Sequence, residues 1–310
     1  MAKVSSGNQL ITLTDERGLI YSPKSWDEIL GLPGYVKGLD PAKYKLKAII
    51  GSYHLKDIHC GLSCNAEHDK GVVAQFHGGA VTNVGHICGK KHFDVDFTTF
   101  TNQYNRDVVA KTHRDLLSTF SFQLDDLEKE ISELRKSERG INWIYSTSQK
   151  LVSGGNECPD EVVRTVTAMI KSRSNVLQKS REATDAEIKA LELSQVQKVR
   201  KPHYIQEDIA VISGLDVLYE ENDLKKLVII DMEENIKSFK SLKIDNLTHS
   251  ELARWSKWVG LIEGTKDKIK DSMNSGLNLL KSSNLVVFKE IINRKQDVDS
   301  FDKFIKKLPK

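Results

Sequence analysis

The two stretches that decide the fold of the N-terminal region are CGLSCNAEH at residues 60–68 and GHICGKKH at residues 85–92, which hold three of the four cysteines of the chain. The first stretch contains a Cys-x3-Cys pair and the second a Cys-x3-His pair. Thiolate and imidazole are donors that Zn²⁺ prefers, and a structural zinc site takes four of them. Four cysteines in a chain of 310 residues are not typical of a fold held together by disulfides. Clustered cysteines in such a chain indicate a metal. The predicted ligands of a structural Zn²⁺ are Cys60, Cys64, Cys88 and His92.

Alternatives to this ligand set stay open. The fourth ligand can instead be His68 or His86, which lie in the same two stretches. The cysteines can also be reduced core residues, because a free cysteine packs like a small hydrophobe, or they can form a redox pair. Gly61 is expected to let the backbone turn tightly, so that both sulfurs of the first pair face one point.

The segment between the two pairs, KGVVAQFHGGAVTNVG at residues 70–85, predicts a β-hairpin with Gly78 and Gly79 in its turn. If Cys88 begins a helix, His92 lies one turn further along the same face. A knuckle, a hairpin and a helix in this order resemble the treble-clef zinc finger over about residues 58–100. The resemblance implies a closed zinc site that stabilises the N-terminal module and does no chemistry.

Two further resemblances concern function. Residues 82–93, which read TNVG-x-x-CGKKHF with x at positions 86 and 87, are similar to a stretch of uncharacterised proteins encoded by phages and prophages. Some treble-clef scaffolds carry metal-dependent nucleases in which a hairpin histidine activates water, and His77 is the corresponding candidate. No catalytic residue is assigned, because the sequence contains no nucleotide-binding or hydrolase motif.

The sequence becomes helical in character beyond about residue 101. Apolar residues from Leu117 to Leu134 follow one another at alternating spacings of three and four, which is the pattern of a coiled coil. Pro159, followed by two acidic residues, predicts the start of a second helix over about residues 160–196. The two helices predict a long antiparallel hairpin, whose apolar stripe lies within one chain or between two copies.

The predicted fold class is α+β, mostly α, with a small zinc-binding β-hairpin and helix module followed by a long helical hairpin or coiled-coil body. The sequence THSE at residues 248–251 is a capping box and predicts a helix start in the C-terminal part. The predicted regions are a mobile arm at 1–25, the treble-clef-like module at 26–100, the antiparallel hairpin at 101–200 and a helical C-terminal region at 201–310.

Charge and hydropathy restrict the partners. The chain has 46 basic and 43 acidic residues, a net charge of +3, so any basic surface that binds nucleic acid must be local. No run approaches the roughly 18 apolar residues of a membrane-spanning helix, and no secretory signal begins the chain, so we expect a cytoplasmic protein without membrane contact. The candidate contacts for a nucleic acid or a protein partner are Lys90, Lys91, Lys198, Arg200, Lys201 and Tyr204.

These observations predict a non-enzymatic binding or adaptor protein. Its zinc head would recognise a nucleic acid or a protein, and its helices would set spacing and contacts between copies of the chain. One alternative is a metal-dependent nuclease of the treble-clef type. Another is a structural protein that assembles through the coiled coil into a homo-oligomer.

Overall fold

The computed structural model describes residues 21–155, 157–195 and 198–310. The structure is 59% helical and contains a small antiparallel sheet, in agreement with the predicted α+β, mostly α class. Most of the predicted arm, residues 1–20, lies outside the described residues. None of the described helices is both long enough and apolar enough to cross a membrane.

The elements follow one another from the N-terminal sheet to the C-terminal helices. The first are α1 (Trp26–Leu30), β1 (Leu46–His59), β2 (Glu67–Phe76), β3 (Val81–Gly85) and α2 (His86–Ser121), which is kinked at Asp94. The middle part contains α3 (Leu124–Lys136), α4 (Ile141–Ser148), α5 (Lys150–Ser153), α6 (Asp160–Ser172), β4 (Val176–Glu182), α7 (Asp185–Gln195) and β5 (Tyr204–Val211). The last part contains a π-helix (Lys226–Glu233), α8 (Glu234–Lys240), α9 (His249–Leu279), α10 (Ser282–Leu285) and α11 (Lys295–Ile305), with short 3₁₀ turns between them.

The predicted β-hairpin is confirmed. Strands β2 and β3 pair in antiparallel register, from Gly71 opposite Gly85 to Gln75 opposite Val81. The turn between them places two successive glycines at φ 92° and φ 89°, where a side chain would be strained. Strand β1 pairs with the other edge of β2, so the sheet has the order β1-β2-β3.

Both faces of this sheet are buried. Val72, Val73 and Ala74 of β2 point alternately to the two faces, and all three are buried. One face packs against α2 and the other against α1. The residues of α2 that pack on the sheet recur at helical spacing, which holds this part of the helix on the sheet. They are Phe93, Phe97, Phe100, Tyr104 and Val108.

The expected helix over residues 160–196 is not continuous, and the long antiparallel hairpin does not form. Helix α6 ends at Ser172, and Arg173 adopts a left-handed conformation with φ 52°. Strand β4 follows and pairs antiparallel with β5. The stretch SRSN at residues 172–175 interrupts the apolar periodicity with polar turn residues, and pairing with β5 gives the backbone of β4 its hydrogen bonds.

The apolar stripe of the first predicted helix is real, but it is shared by two helices. Helix α2 ends at Ser121 and α3 begins at Leu124. The stripe residues from Leu117 to Ile131 are buried within a single chain, which favours the intramolecular interpretation over a seam between copies. They are Leu117, Phe120, Leu124, Leu127 and Ile131.

The chain divides into two compact units. One comprises the residues up to Thr119 together with Lys243–Lys257, and the other comprises Phe120–Leu242 together with Trp258–Lys310. Within the second unit, Phe120, Phe239 and Trp258 form an aromatic cluster with ring centroids 5.3–5.8 Å apart. The region boundaries read from the sequence stay predictions.

The capping box at the start of α9 is formed, and it gives a prediction. The backbone N–H of Thr248 donates to the Glu251 carboxylate at 2.9 Å, and the backbone N–H of Glu251 donates to the Thr248 hydroxyl at 3.4 Å. We expect Thr248→Ala to lower the free energy of unfolding by about 1 kcal/mol in urea titrations. Thr265→Ala is the matched control, since Thr265 lies within the same helix and bonds to the Leu261 carbonyl. An equal loss in both variants would contradict a capping role.

Candidate metal centre

Three cysteine sulfurs converge beside the sheet. The sulfur atoms of Cys60, Cys64 and Cys88 all lie within 4.8 Å of one another, and those of Cys64 and Cys88 are 3.3 Å apart. A tetrahedral site with metal–sulfur bonds of about 2.3 Å holds its sulfurs about 3.8 Å apart, so small shifts bring all three to bonding distance. The three cysteines are therefore positioned to bind a metal ion.

A short loop, which we call the knuckle (residues 60–66), carries the first two sulfurs. Cys60 directly follows β1, and its backbone N–H donates to the Ala66 carbonyl at 2.8 Å, which closes the loop. The chain reverses just after Cys64, where Asn65 adopts φ 46°. Asparagine tolerates this left-handed conformation better than most residues. The tight turn therefore depends on Asn65.

Gly61 is needed for a different reason from the one expected. A Cβ atom at Gly61 would lie 2.0 Å from the Thr82 hydroxyl oxygen and 2.6 Å from Oδ1 of Asn83. Its φ is not in the left-handed region, so the glycine is required by the close approach of β3. The knuckle and β3 can touch at this point because residue 61 has no side chain.

The side chain of Asn83 joins β3 to the base of the knuckle. Asn83 is fully buried, and its Nδ2 donates to the His59 carbonyl at 2.8 Å and to the Tyr53 hydroxyl oxygen at 3.2 Å. Its Oδ1 accepts from the Tyr35 hydroxyl at 2.9 Å, and its backbone carbonyl accepts from the Gly61 N–H at 2.8 Å. The polar atoms of this buried side chain are thus satisfied by residues around the metal centre.

The hydrogen bonds continue from Tyr53 to His68 and return to the knuckle. The Tyr53 hydroxyl lies 2.6 Å from Nε2 of His68, and Nδ1 of His68 lies 3.2 Å from the Ala66 carbonyl. Because the Ala66 carbonyl can only accept, the network assigns the His68 proton to Nδ1, and Nε2 then accepts from the Tyr53 hydroxyl. Burial raises the pKa of Tyr53 above its usual range, which keeps the hydroxyl protonated. We call Tyr53, His68 and Asn83 the knuckle frame.

The third sulfur comes from the first turn of α2. Strand β3 ends at Gly85, α2 begins at His86, and Cys88 is nearly buried at 9% exposure. Because no loop separates the strand from the helix, the position of β3 also fixes the position of Cys88. Cys88 thus lies in the first turn of a helix, which is the condition under which His92 would share its face.

The three thiols differ in acidity. Burial raises the pKa of Cys60, and burial together with the neighbouring Cys64 thiol raises the pKa of Cys88 to about 12. Burial also acts to raise the pKa of Cys64, but hydrogen bonds from the Ala66 backbone and from the other two thiols outweigh it, so the pKa of Cys64 is lowered. Cys64 is therefore the first of the three to become a thiolate.

The structure brings together three of the four predicted ligands. Among the described residues, no histidine or carboxylate joins the cysteine group at the same mutual distance. His92 is exposed on α2, with its ring centroid 6.5 Å from that of Phe93. The rings of His86 and Phe97 meet at 79° with centroids 6.0 Å apart, and both nitrogens of His68 are hydrogen-bonded, Nε2 with the Tyr53 hydroxyl and Nδ1 with the Ala66 carbonyl.

The predicted contact residues lie in two places. Lys90 and Lys91 are exposed on the first turns of α2, close to the metal centre in sequence. Lys198, Arg200 and Lys201 lie in the connection between α7 and β5, and Tyr204 is the first residue of β5. Of these, Lys201 forms an ion pair with Asp185, and Tyr204 is 61% exposed.

Comparison of the chain with protein-family models, with curated proteins and with solved structures found no match. The resemblances to the treble-clef finger and to phage-encoded proteins therefore rest on the residues quoted for them.

Sequence reasoning did not identify Asn83 or Tyr53. The signal for Asn83 was present, because an asparagine within the apolar run AVTNVG is a polar residue in a buried strand and requires partners. No comparable signal marks Tyr53, whose role depends on strand register.

The close contact at Gly61 predicts the effect of adding one methyl group. We expect Gly61→Ala to lower the free energy of unfolding by about 1–3 kcal/mol and to weaken metal binding, because Cys60 must move away from β3. Gly260→Ala is the control, since a Cβ at Gly260 meets no atom within 4 Å. In a helix, this substitution stabilises by up to about 1 kcal/mol. Unchanged stability and metal affinity in Gly61→Ala would show that the contact does not position the knuckle.

Proposed function

We propose that the protein is a zinc-binding adaptor without enzymatic activity, whose metal-bearing region recognises another protein. The observation that carries the proposal is the convergence of three cysteine sulfurs within 4.8 Å. Thiolates favour Zn²⁺ among the common divalent ions of cells, and reduced cysteines are the rule in a cytoplasm. A cytoplasmic location stays part of the proposal.

The order of elements around the sulfurs supports a treble-clef-like module. A knuckle follows β1, the hairpin β2–β3 comes next, and α2 carries the third cysteine in its first turn. In our proposal, zinc ties the knuckle to the start of α2 and so fixes the surface that this helix presents.

The proposed contact surface, which we call the α2 surface, consists of Ile87, Lys90, Lys91 and Val95. Ile87 is 85% exposed and Val95 is 70% exposed, so both aliphatic side chains are available for contact with a partner. The two lysines add positive charge at the end nearest the metal, and Asp94 and Asp96 follow them in sequence. Aliphatic contacts flanked by lysines favour a protein partner with apolar and acidic residues over a nucleic acid.

A nucleic-acid partner is the second candidate, and the α7–β5 connection favours it. Lys198 and Arg200 are exposed there, and Tyr204 offers an exposed ring on which a base can stack. Lys201 contributes less, because its ion pair with Asp185 competes with phosphate. Among the residues that the structure describes, no observation favours the nuclease or the coiled-coil assembly alternative.

The protonation of the thiols predicts how zinc affinity depends on pH. Because the pKa values of Cys60 and Cys88 are raised, both thiols hold protons near neutral pH, and zinc must displace at least two protons when it binds. Raising the pH removes this competition, so the association constant for Zn²⁺ is expected to increase about 100-fold per pH unit between about pH 6 and 8. Competition with a chromophoric chelator measures this slope. A slope near zero would show that the thiols are not the ligands.

Substitutions on the α2 surface test the partner class. We expect a random-peptide array probed with the zinc-loaded chain to select peptides that combine acidic and aliphatic residues. Ile87→Ser and Val95→Ser should each weaken binding of the selected peptides by about tenfold, since each removes roughly 1.5 kcal/mol of apolar burial.

Leu261→Ser provides the matched control, because Leu261 is an exposed aliphatic residue on α9. All three variants should keep their zinc. Equal peptide binding by the α2 variants and the parent chain would reject the α2 surface. Tight binding of an oligonucleotide that is lost in an Arg200→Ala variant would favour the nucleic-acid candidate instead.

A further inference from the structure

The three sulfurs differ in their access to solvent. Cys60 is 1% exposed and Cys88 is 9% exposed, whereas Cys64 is exposed. Cys60 therefore forms the inner side of the site, and the side at Cys64 faces the surface. A metal ion bound by all three sulfurs can be approached from outside the protein on that side.

The chain's own soft donors do not complete the site in this structure. Beyond the three cysteines, the chain contains nine histidines and Cys158, and residues 1–20, 156, 196 and 197 contain none of them. Within the described residues, none of these side chains joins the sulfur group at the same mutual distance. A tetrahedral zinc requires a fourth ligand, which is water or an incoming group when the protein supplies three.

The knuckle frame engages His68, one of the alternative donors, in other hydrogen bonds. His68 would have to release the Tyr53 hydroxyl and the Ala66 carbonyl to turn a nitrogen towards the sulfurs. That release would leave the proton of the buried Tyr53 hydroxyl without an acceptor, and the Ala66 carbonyl would keep only the Cys60 N–H as its donor. His68 is therefore a positioning residue that supports the knuckle.

Charge favours a neutral fourth ligand over a fourth thiolate. Three thiolates on Zn²⁺ leave a net charge of −1, and a fourth thiolate would raise it to −2. A neutral imidazole adds no charge and is a common ligand of zinc. Lys90 and Lys91 are followed by Asp94 and Asp96, so these four residues together carry no net charge that would favour a second negative charge at the metal.

We infer that the metal takes its fourth ligand from outside this chain, as a nitrogen donor such as a histidine side chain of the protein partner. The inference rests on the proposed function, since it takes metal binding by the three cysteines as given. Partner binding is then coupled to metal binding, because the partner completes the coordination.

The test uses the full chain loaded with Co²⁺, whose visible absorption reports the ligand set, and free imidazole as the probe. The intensity of the thiolate-to-cobalt charge-transfer bands reports the number of sulfur ligands. The energy and intensity of the ligand-field bands depend on the fourth ligand. Three variants address the histidines that could serve instead, and Cys88→Ser addresses the site itself. The histidine variants are His92→Ala, His86→Ala and His68→Gln.

We expect imidazole to shift the ligand-field bands of the parent chain and of all three histidine variants in the same way. A histidine variant whose spectrum differs before imidazole is added, and is restored by it, would identify that histidine as the fourth ligand and overturn the inference. A parent spectrum that does not respond to imidazole would also overturn it. A stronger response to a small thiol than to imidazole would reject the nitrogen donor.

The same spectra test metal binding by the three cysteines independently of the external fourth ligand. If the parent chain shows no thiolate-to-cobalt bands, or if Cys88→Ser leaves them unchanged, the cysteines do not form the metal site. If those bands are present and lost in Cys88→Ser while a histidine variant alters the ligand-field bands, the metal site stands and only the external ligand is rejected.

Discussion

The buried amide of Asn83 is the constraint on which the geometry of the metal centre depends. Its Nδ2 donates hydrogen bonds to the His59 carbonyl and the Tyr53 hydroxyl oxygen, and the backbone carbonyl of the same residue accepts from the Gly61 N–H. Leaving a buried polar group without its partner costs about 1–3 kcal/mol, so β3 and the knuckle cannot slide past one another. Because α2 continues directly from β3, the same hydrogen bonds also fix Cys88 relative to the other two sulfurs.

This arrangement differs from that of a minimal zinc finger, whose core is too small to fold without metal. Here hydrophobic clusters cover both faces of the three-stranded sheet, and the knuckle is closed by its own hydrogen bonds. The sulfurs are therefore brought together by the fold, and little reorganisation is required when a metal binds. A preorganised three-sulfur site with one exposed side suits a metal whose last ligand is exchanged with a partner.

The local features of the N-terminal region were predictable from the sequence, because they depend on short-range chemistry. The glycine pair marked the hairpin turn, the cysteine spacing marked the three residues positioned to bind a metal ion, and Thr248 with Glu251 marked the start of α9. The strand pair β4–β5 could not be predicted, since its stability comes from pairing between segments about 30 residues apart. His92 does not join the three sulfurs at the same mutual distance. Helical spacing predicts that Cys88 and His92 share a face of α2, but it does not determine whether the His92 imidazole reaches the sulfurs.

The central claim is that Cys60, Cys64 and Cys88 bind one zinc ion, and the metal content of the natively purified protein tests it most directly. Elemental mass spectrometry would be applied to the parent chain, to Cys88→Ala and to Cys158→Ala, the last being a buried cysteine of the second unit. The account predicts one zinc per chain in the parent and in Cys158→Ala, and none in Cys88→Ala. A parent chain without metal, or full retention of zinc in Cys88→Ala, would contradict it.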